Sequence, residues 1–157
     1  MADSVRLLMV CLGNICRSPT AEGIVRARVT EAGLANRVTV DSAGTGDWHV
    51  DCSPDPRAIA TAAGHGVDIS HLRGRQLSAR DFDEFDWLLC ADRSNLRDVR
   101  ALAPDAAARS RVQLLLDWAG VEADAEVPDP YTGGADQFEH VWRLLERAAD
   151  GVVRRLR

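Results

Sequence analysis

The chain lacks a long apolar run. The mostly apolar stretch from Val5 to Val10 falls far short of the ~20 residues of a membrane-spanning helix, and no basic segment precedes it. Neither a spanning helix nor a signal peptide is expected, so a reducing cytoplasm is the default location. Positive charge is in short supply: 19 Lys and Arg face 24 Asp and Glu, for a net charge of −5. A nucleic-acid binder would carry a basic face, so no nucleic-acid partner is expected. Cys11, Cys16, Cys52 and Cys90 make no regular disulfide framework and no Cys-x2-Cys pair, so structural zinc is not expected. Repeats, linkers and low-complexity tracts are missing as well. What remains, 46% hydrophobic and 27% charged over 157 residues, fits one compact domain spanning 1–157, expected to act as a monomer without a membrane partner. The abundance of Ala and Arg suggests a high-GC bacterial genome.

What the chain does have is concentrated between Ser4 and Arg26. Val5 to Val10 reads as a strand buried on both faces of a parallel sheet. Ser18-Pro19 reads as a helix start, with a hydroxyl N-cap, proline at the first helical position and Glu22 near the positive end of the helix dipole. A loop joining such a strand to a helix N-terminus points backbone N–H groups at a common centre, and so cradles an anion. Cys11 opens this loop and Arg17 closes it. An anion held by the loop amides and a bidentate guanidinium would lie over the Cys11 sulfur, and the same positive field favours a thiolate. A thiolate facing a phosphate suggests nucleophilic displacement at phosphorus.

Cys11-Leu-Gly-Asn-Ile-Cys-Arg-Ser18 resembles, nearly residue for residue, the phosphate-binding loop of the low-molecular-weight protein tyrosine phosphatases. The likeness extends to Asp41-Ser-Ala-Gly-Thr-Gly-Asp-Trp48, to Asp92-Arg-Ser-Asn-Leu96 and to Asp129-Pro-Tyr131, and so covers essentially the whole chain.

Further along, β and α signals alternate. Helices are expected over Pro19 to about Ala32, from Ser53-Pro-Asp-Pro56 to Gly64, over about Ala79 to Phe85 and from Asp92 to about Leu102. Strands are expected at Val38–Ser42, Trp87–Ala91 and Arg111–Leu116, with Cys90 a packed core thiol. In the last helix Phe138, Val141, Trp142, Leu145, Ala149 and Val152 recur at three- and four-residue steps, which marks one apolar stripe. The alternation predicts an α/β fold with a parallel sheet, right-handed crossovers and a ligand site at the C-terminal ends of the strands. The family resemblance implies four strands with the first one central, helices on both faces and a phosphate-binding loop after the first strand.

The site residues follow from loop chemistry and resemblance together. A phenolate leaving group has a pKa of ~10 and departs badly without a proton, so a general acid is needed. Asp129-Pro130-Tyr131 reads either as a plain turn or, by resemblance, as that acid. In the implied mechanism Cys11 attacks phosphorus, while Arg17 and the amides of Leu12, Gly13, Asn14, Ile15, Cys16 and Arg17 hold the equatorial oxygens. Asp129 protonates the phenol and then activates water, and Ser18 donates to the Cys11 sulfur. Asn14 suits a left-handed backbone and can tie segments together. Trp48 is either part of a connector or, by resemblance, a wall beside the substrate ring, joined by Leu12 and Tyr131. His71 is either a surface histidine or, by resemblance, a partner of Asn14 and Ser42 that braces the loop. Cys16 is either a small filler or a thiol able to form a disulfide with oxidised Cys11. No metal or organic cofactor is required, and the implied partners are tyrosine-phosphorylated proteins.

Two departures and two alternatives bear on specificity and function. Thr132 stands where the family often has a second aromatic. Ile15 stands where related phosphoarginine phosphatases carry threonine. Arsenate reductases share the fold and the Cys-x5-Arg loop but need further cysteines as a redox relay, and a non-catalytic phosphotyrosine-binding module would be expected to lack Cys11 or Asp129.

Overall fold

The computed structural model describes residues 4–157. Four parallel strands form one sheet in the order β2-β1-β3-β4, with β1 (Val5–Cys11), β2 (Val38–Gly44), β3 (Trp87–Cys90) and β4 (Val112–Leu114). β1 lies between β2 and β3, pairing Val5 with Val38 and Leu8 with Leu88. Its apolar sequence follows from that place, because successive side chains point to opposite, covered faces. Leu7, Met9 and Cys11 enter one core with α1 (Arg17–Glu31) and α7 (Ala135–Leu156). Leu8 and Val10 enter the other, with Phe82 of α3 (Asp81–Glu84), Val99 of α4 (Arg93–Leu102) and Ala108 of α5 (Ala106–Ser110). Fully burying a side chain such as Leu7 or Leu8 contributes roughly 1.5–3 kcal/mol.

The apolar stripe of the last helix is buried as its spacing predicted: Phe138, Val141, Trp142, Leu145, Ala149 and Val152 all face the core. Gly151 is required beside them, because a Cβ there would collide with the Ala119 carbonyl. α2 runs over Pro56–Gly64 and is capped by Asp55, whose carboxylate accepts from the Arg57 N–H. α4 is capped in the same way by Asp92.

The first helix differs from its sequence reading. It starts at Arg17 with Cys16 in the cap position, and no side chain caps it. Ser18 is already inside the first turn, and its hydroxyl is engaged by Cys11 and Asn14 instead. The fourth strand is shorter than expected, because the chain turns into α6 (Leu115–Trp118) directly after Leu114. α5, capped by Asp105, was not anticipated. Among the described residues no helix is long and apolar enough to cross a membrane.

The strand ends converge on the loop after β1. Beyond β3, Ala91 N–H donates to Val10 O at 2.9 Å, and Val127 N–H donates to Ala91 O at 2.8 Å. That second bond carries the segment before Asp129 across the end of β3 and over the loop.

Candidate active site

The loop from Cys11 to Arg17 is held by its carbonyls. Thr45 N–H donates to Cys11 O, Gly46 N–H to Leu12 O and Asp55 N–H to Ile15 O, at 2.9, 2.9 and 2.8 Å. Among the described residues none of the N–H groups of Leu12 to Arg17 meets a protein acceptor. With its carbonyls tied outward to neighbouring segments, the loop leaves its amides for an anion. Asn14 takes φ of 57°, the left-handed backbone that asparagine tolerates. Gly44 lies tight beneath the loop: a Cβ there would come within 2.8 Å of Leu12 O.

A buried polar chain runs under this loop. Asn14 Nδ2 donates to Ser18 Oγ at 2.8 Å and to Ser42 Oγ at 3.0 Å. Ser42 Oγ donates to Glu22 Oε1 at 2.6 Å, and Arg26 Nη2 donates to Glu22 Oε2 at 2.6 Å. Ser18 Oγ and Cys11 Sγ are 3.0 Å apart. Ser18 already accepts from Asn14, and among the described residues Cys11 Sγ is the acceptor left for its proton. The serine therefore donates to the sulfur.

His71 is not part of this chain. It is exposed, 4.0 Å from Asp68, and the bracing expected of it is done by others. Arg75 N–H donates to Asn14 Oδ1 at 3.0 Å, and Glu22 takes the Ser42 hydroxyl. The cause is local. Asp68 accepts from Ser70 N–H and Oγ at 2.8 and 2.6 Å, forming a turn that leaves His71 outside. Gly74, bonded to Asp51 and Cys52, brings Arg75 against the loop instead.

Arg17 is buried beneath the cleft. Its Nη1 donates to Asp92 Oδ2 at 2.7 Å and to Val127 O at 3.0 Å, and its Nη2 lies 3.9 Å from Asp129 Oδ2. Burial opposes its charge, but Cys11, Asp92 and Asp129 outweigh that, and the guanidinium is held above its ordinary range. Asp92 therefore does two things, orienting Arg17 with one oxygen and capping α4 through Asn95 N–H with the other. The motif Asp92-Arg-Ser-Asn-Leu96 carries no local sign of this role, because Arg17 and Asp92 lie 75 positions apart.

Asp129 is half-exposed, and its Oδ1 accepts from Tyr131 N–H at 3.0 Å. Cys16 is buried, and burial pushes its thiol up to about 12; the charges of Asp55, Cys11 and Asp129 act the same way and Arg57 opposes them. Burial also pushes the Cys90 thiol in β3 up.

These residues line one cleft of about 170 Å³. Cys11, Gly13, Ile15, Cys16 and Arg17 form its floor and Asp129 one side. Leu12, Trp48 and Tyr131, 42%, 68% and 50% exposed, make an apolar rim. Gly46 permits that rim, since a Cβ there would overlap the Trp48 indole. His49 also lines the cleft and was not anticipated. Among the described residues no three His, Cys, Asp or Glu side chains stand together as a metal site. The arrangement joins a cysteine sulfur, an array of N–H donors, a fixed cation and a carboxylate around one cleft.

The family model for the low molecular weight phosphotyrosine protein phosphatases matches residues 6–157. The low molecular weight protein-tyrosine-phosphatase of Streptomyces coelicolor is 44% identical over 154 residues, 97% of this chain and 93% of that one. The low molecular weight phosphotyrosine protein phosphatase of Sus scrofa is 37% identical over 160 residues, 100% of both chains. Among solved structures, a protein tyrosine phosphatase from Entamoeba histolytica with Hepes in the active site aligns with a TM-score of 0.91 at 31% identity, covering 98% of this chain and 97% of the other. YfkJ from Bacillus subtilis aligns at 0.89 and 33% identity, covering 98% and 95%.

Proposed function

This chain belongs to the low molecular weight phosphotyrosine protein phosphatase family, and we propose that it hydrolyses phosphotyrosine in proteins through a phosphocysteine on Cys11. The observation that carries this reading is the convergence on one cleft of Cys11, its Ser18 donor at 3.0 Å, the buried Arg17 and Asp129. The Cys11 thiolate attacks phosphorus in line, the P–O bond to the tyrosine breaks, and Asp129 delivers a proton to the departing phenol. The amides of Leu12 to Arg17 and the Arg17 guanidinium hold the three equatorial oxygens, already oriented for the charge of the transition state. Asp129, now ionised, takes a proton from water as that water attacks the phosphocysteine. Phosphate leaves, and the thiolate returns to the Ser18 hydroxyl.

The rim decides the substrate. Leu12, Trp48 and Tyr131 offer an apolar wall to a phenyl ring, whereas a phosphate on the short serine side chain would not reach the floor. Arsenate reduction is not favoured: a relay needs successive accessible thiols, and Cys90 is fully buried in β3. The same reading takes residues 1–157 as one domain, working as a bacterial cytoplasmic monomer on tyrosine-phosphorylated proteins, with neither nucleic acid nor membrane as partner. Assay of phosphotyrosine, phosphoserine and phosphothreonine peptides tests it. Hydrolysis of the first alone, abolished in Cys11→Ser, is expected; equal rates on all three, or activity surviving in Cys11→Ser, would contradict it.

A further inference from the structure

Arg57, the second residue of α2, is named by none of the motifs above, yet it ties the loop after β1 to the segment that carries Asp129. Its Nη2 donates to Tyr131 O at 2.8 Å and its Nη1 to Gly133 O at 3.0 Å. Those carbonyls flank the far side of a turn that Gly133 N–H closes onto Pro130 O at 2.9 Å. The same guanidinium donates from Nε to Asp55 Oδ1 at 3.0 Å and from Nη2 to Asp55 Oδ2 at 2.8 Å. Asp55 is fixed in turn, since its own N–H donates to Ile15 O at 2.8 Å and its side chain is only 7% exposed. The guanidinium also lies over the Phe138 ring, 4.6 Å from its centroid, which ties it to the start of α7.

Asp129 has little else to hold it. Its carboxylate accepts from Tyr131 N–H and otherwise stands 3.9 Å from Arg17, half-exposed. Its reach is therefore set by the backbone on either side, anchored before it at Val127 by Ala91 and Arg17 and clamped after it over 131–133 by Arg57. We propose that Arg57 is a positioning residue for Asp129, holding the 131–133 backbone at the spacing from Ile15 that lets the carboxyl reach the leaving oxygen. This rests on the reading of Asp129 as general acid.

Arg57→Met keeps an unbranched side chain of similar reach beside Phe138 and removes the clamp. A carboxyl misplaced by about 1 Å loses up to roughly 10²-fold in rate, so a loss of roughly tenfold or more in kcat/KM is expected for esters of poorly acidic phenols. The loss should shrink as the leaving phenol becomes more acidic and needs less protonation. In an Asp129→Ala background the same substitution should do nothing further, because there is no carboxyl left to place. Arg57→Lys, which keeps the charge but not the fork, should show the same leaving-group trend with a smaller loss, and serves if Arg57→Met folds poorly. An equal loss for every leaving group, or a loss that adds in full to that of Asp129→Ala, would overturn the positioning role while leaving the acid assignment intact. If Asp129→Ala itself shows no leaving-group dependence, the acid assignment fails, and the role of Arg57 falls with it.

Discussion

Replacing Asn14 separates the two demands that the loop makes on one buried residue. The first is a backbone at φ 57°, which costs an ordinary residue roughly 1–2 kcal/mol. The second is a set of three hydrogen bonds: Nδ2 to Ser18 and to Ser42, and Oδ1 from Arg75 N–H. Asn14→Gly meets the first demand and fails the second. It leaves the Arg75 N–H without its acceptor, at about 1–3 kcal/mol for a group cut off from water, so a loss near 2 kcal/mol is expected. Asn14→Ala fails both. Its added strain is partly offset because glycine loosens the unfolded chain more than alanine does, leaving a gap of about 1 kcal/mol between the variants. Urea unfolding of the three proteins measures the gap. Turnover should fall in both variants, since Ser18 loses the donor that fixes its hydroxyl proton on Cys11 Sγ, and a drop of roughly tenfold is expected for one charge-assisted hydrogen bond. Equal stability of the Gly and Ala variants would refute the backbone argument. Full activity in either would refute the chain from Asn14 through Ser18 to the sulfur.

Asp129→Ala should lower kcat/KM by roughly 10²–10⁴-fold on phenyl phosphate, and less on esters with more acidic leaving groups; an equal loss across the series would give Asp129 another role. Ile15 offers no hydrogen bond to a guanidinium or to incoming water, so phosphotyrosine should be hydrolysed well and phosphoarginine poorly, with Ile15→Thr narrowing the gap. A preference of the unmodified protein for phosphoarginine, measured by phosphate release, would end that argument. Peroxide should inactivate through a Cys11–Cys16 disulfide, dithiothreitol should restore activity, and bound phosphate should slow the loss. Because burial holds the Cys16 thiol at about 12, it resolves oxidised Cys11 slowly at neutral pH, and disulfide yield should rise toward alkaline pH. Cys16→Ser should still be inactivated but recover poorly; full recovery, or a peptide map joining Cys11 to Cys52 or Cys90, would exclude the pairing.

Part of what was legible in the sequence was local: Cys11, Asn14, Arg17 and Ser18 fall within eight residues, and the helical stripe from Phe138 to Val152 repeats at a fixed step. Trp48, Asp129 and Tyr131 lie far along the chain and were legible through the family resemblance, and all three line the cleft with Cys11. What escaped depends on contacts between distant segments. Asp92 meets Arg17 across 75 positions, Arg57 meets Tyr131 across 74, and Arg75 reaches Asn14 across 61. Glu22 stands near the positive end of the helix dipole by sequence, and its further role, accepting the Ser42 hydroxyl, depends on β2 lying beside α1. Ser18 was read as a helix cap because serine before proline has that habit, and the sulfur of Cys11 claimed its hydroxyl instead. His71 went astray for the converse reason: a short turn set by Asp68 decided where it points.

The central claim is that phosphorus passes through Cys11, and one measurement tests it most directly. An Asp129→Ala protein, slow to hydrolyse the intermediate, would be mixed with an ester of an acidic phenol, quenched in acid within milliseconds and digested, and its peptides weighed. One phosphoryl group on the peptide containing Cys11, absent in Cys11→Ser and formed as fast as the phenol is released, is the expected result. Release of phenol in a burst with no phosphoryl group on Cys11, or its appearance on another residue, would contradict the account.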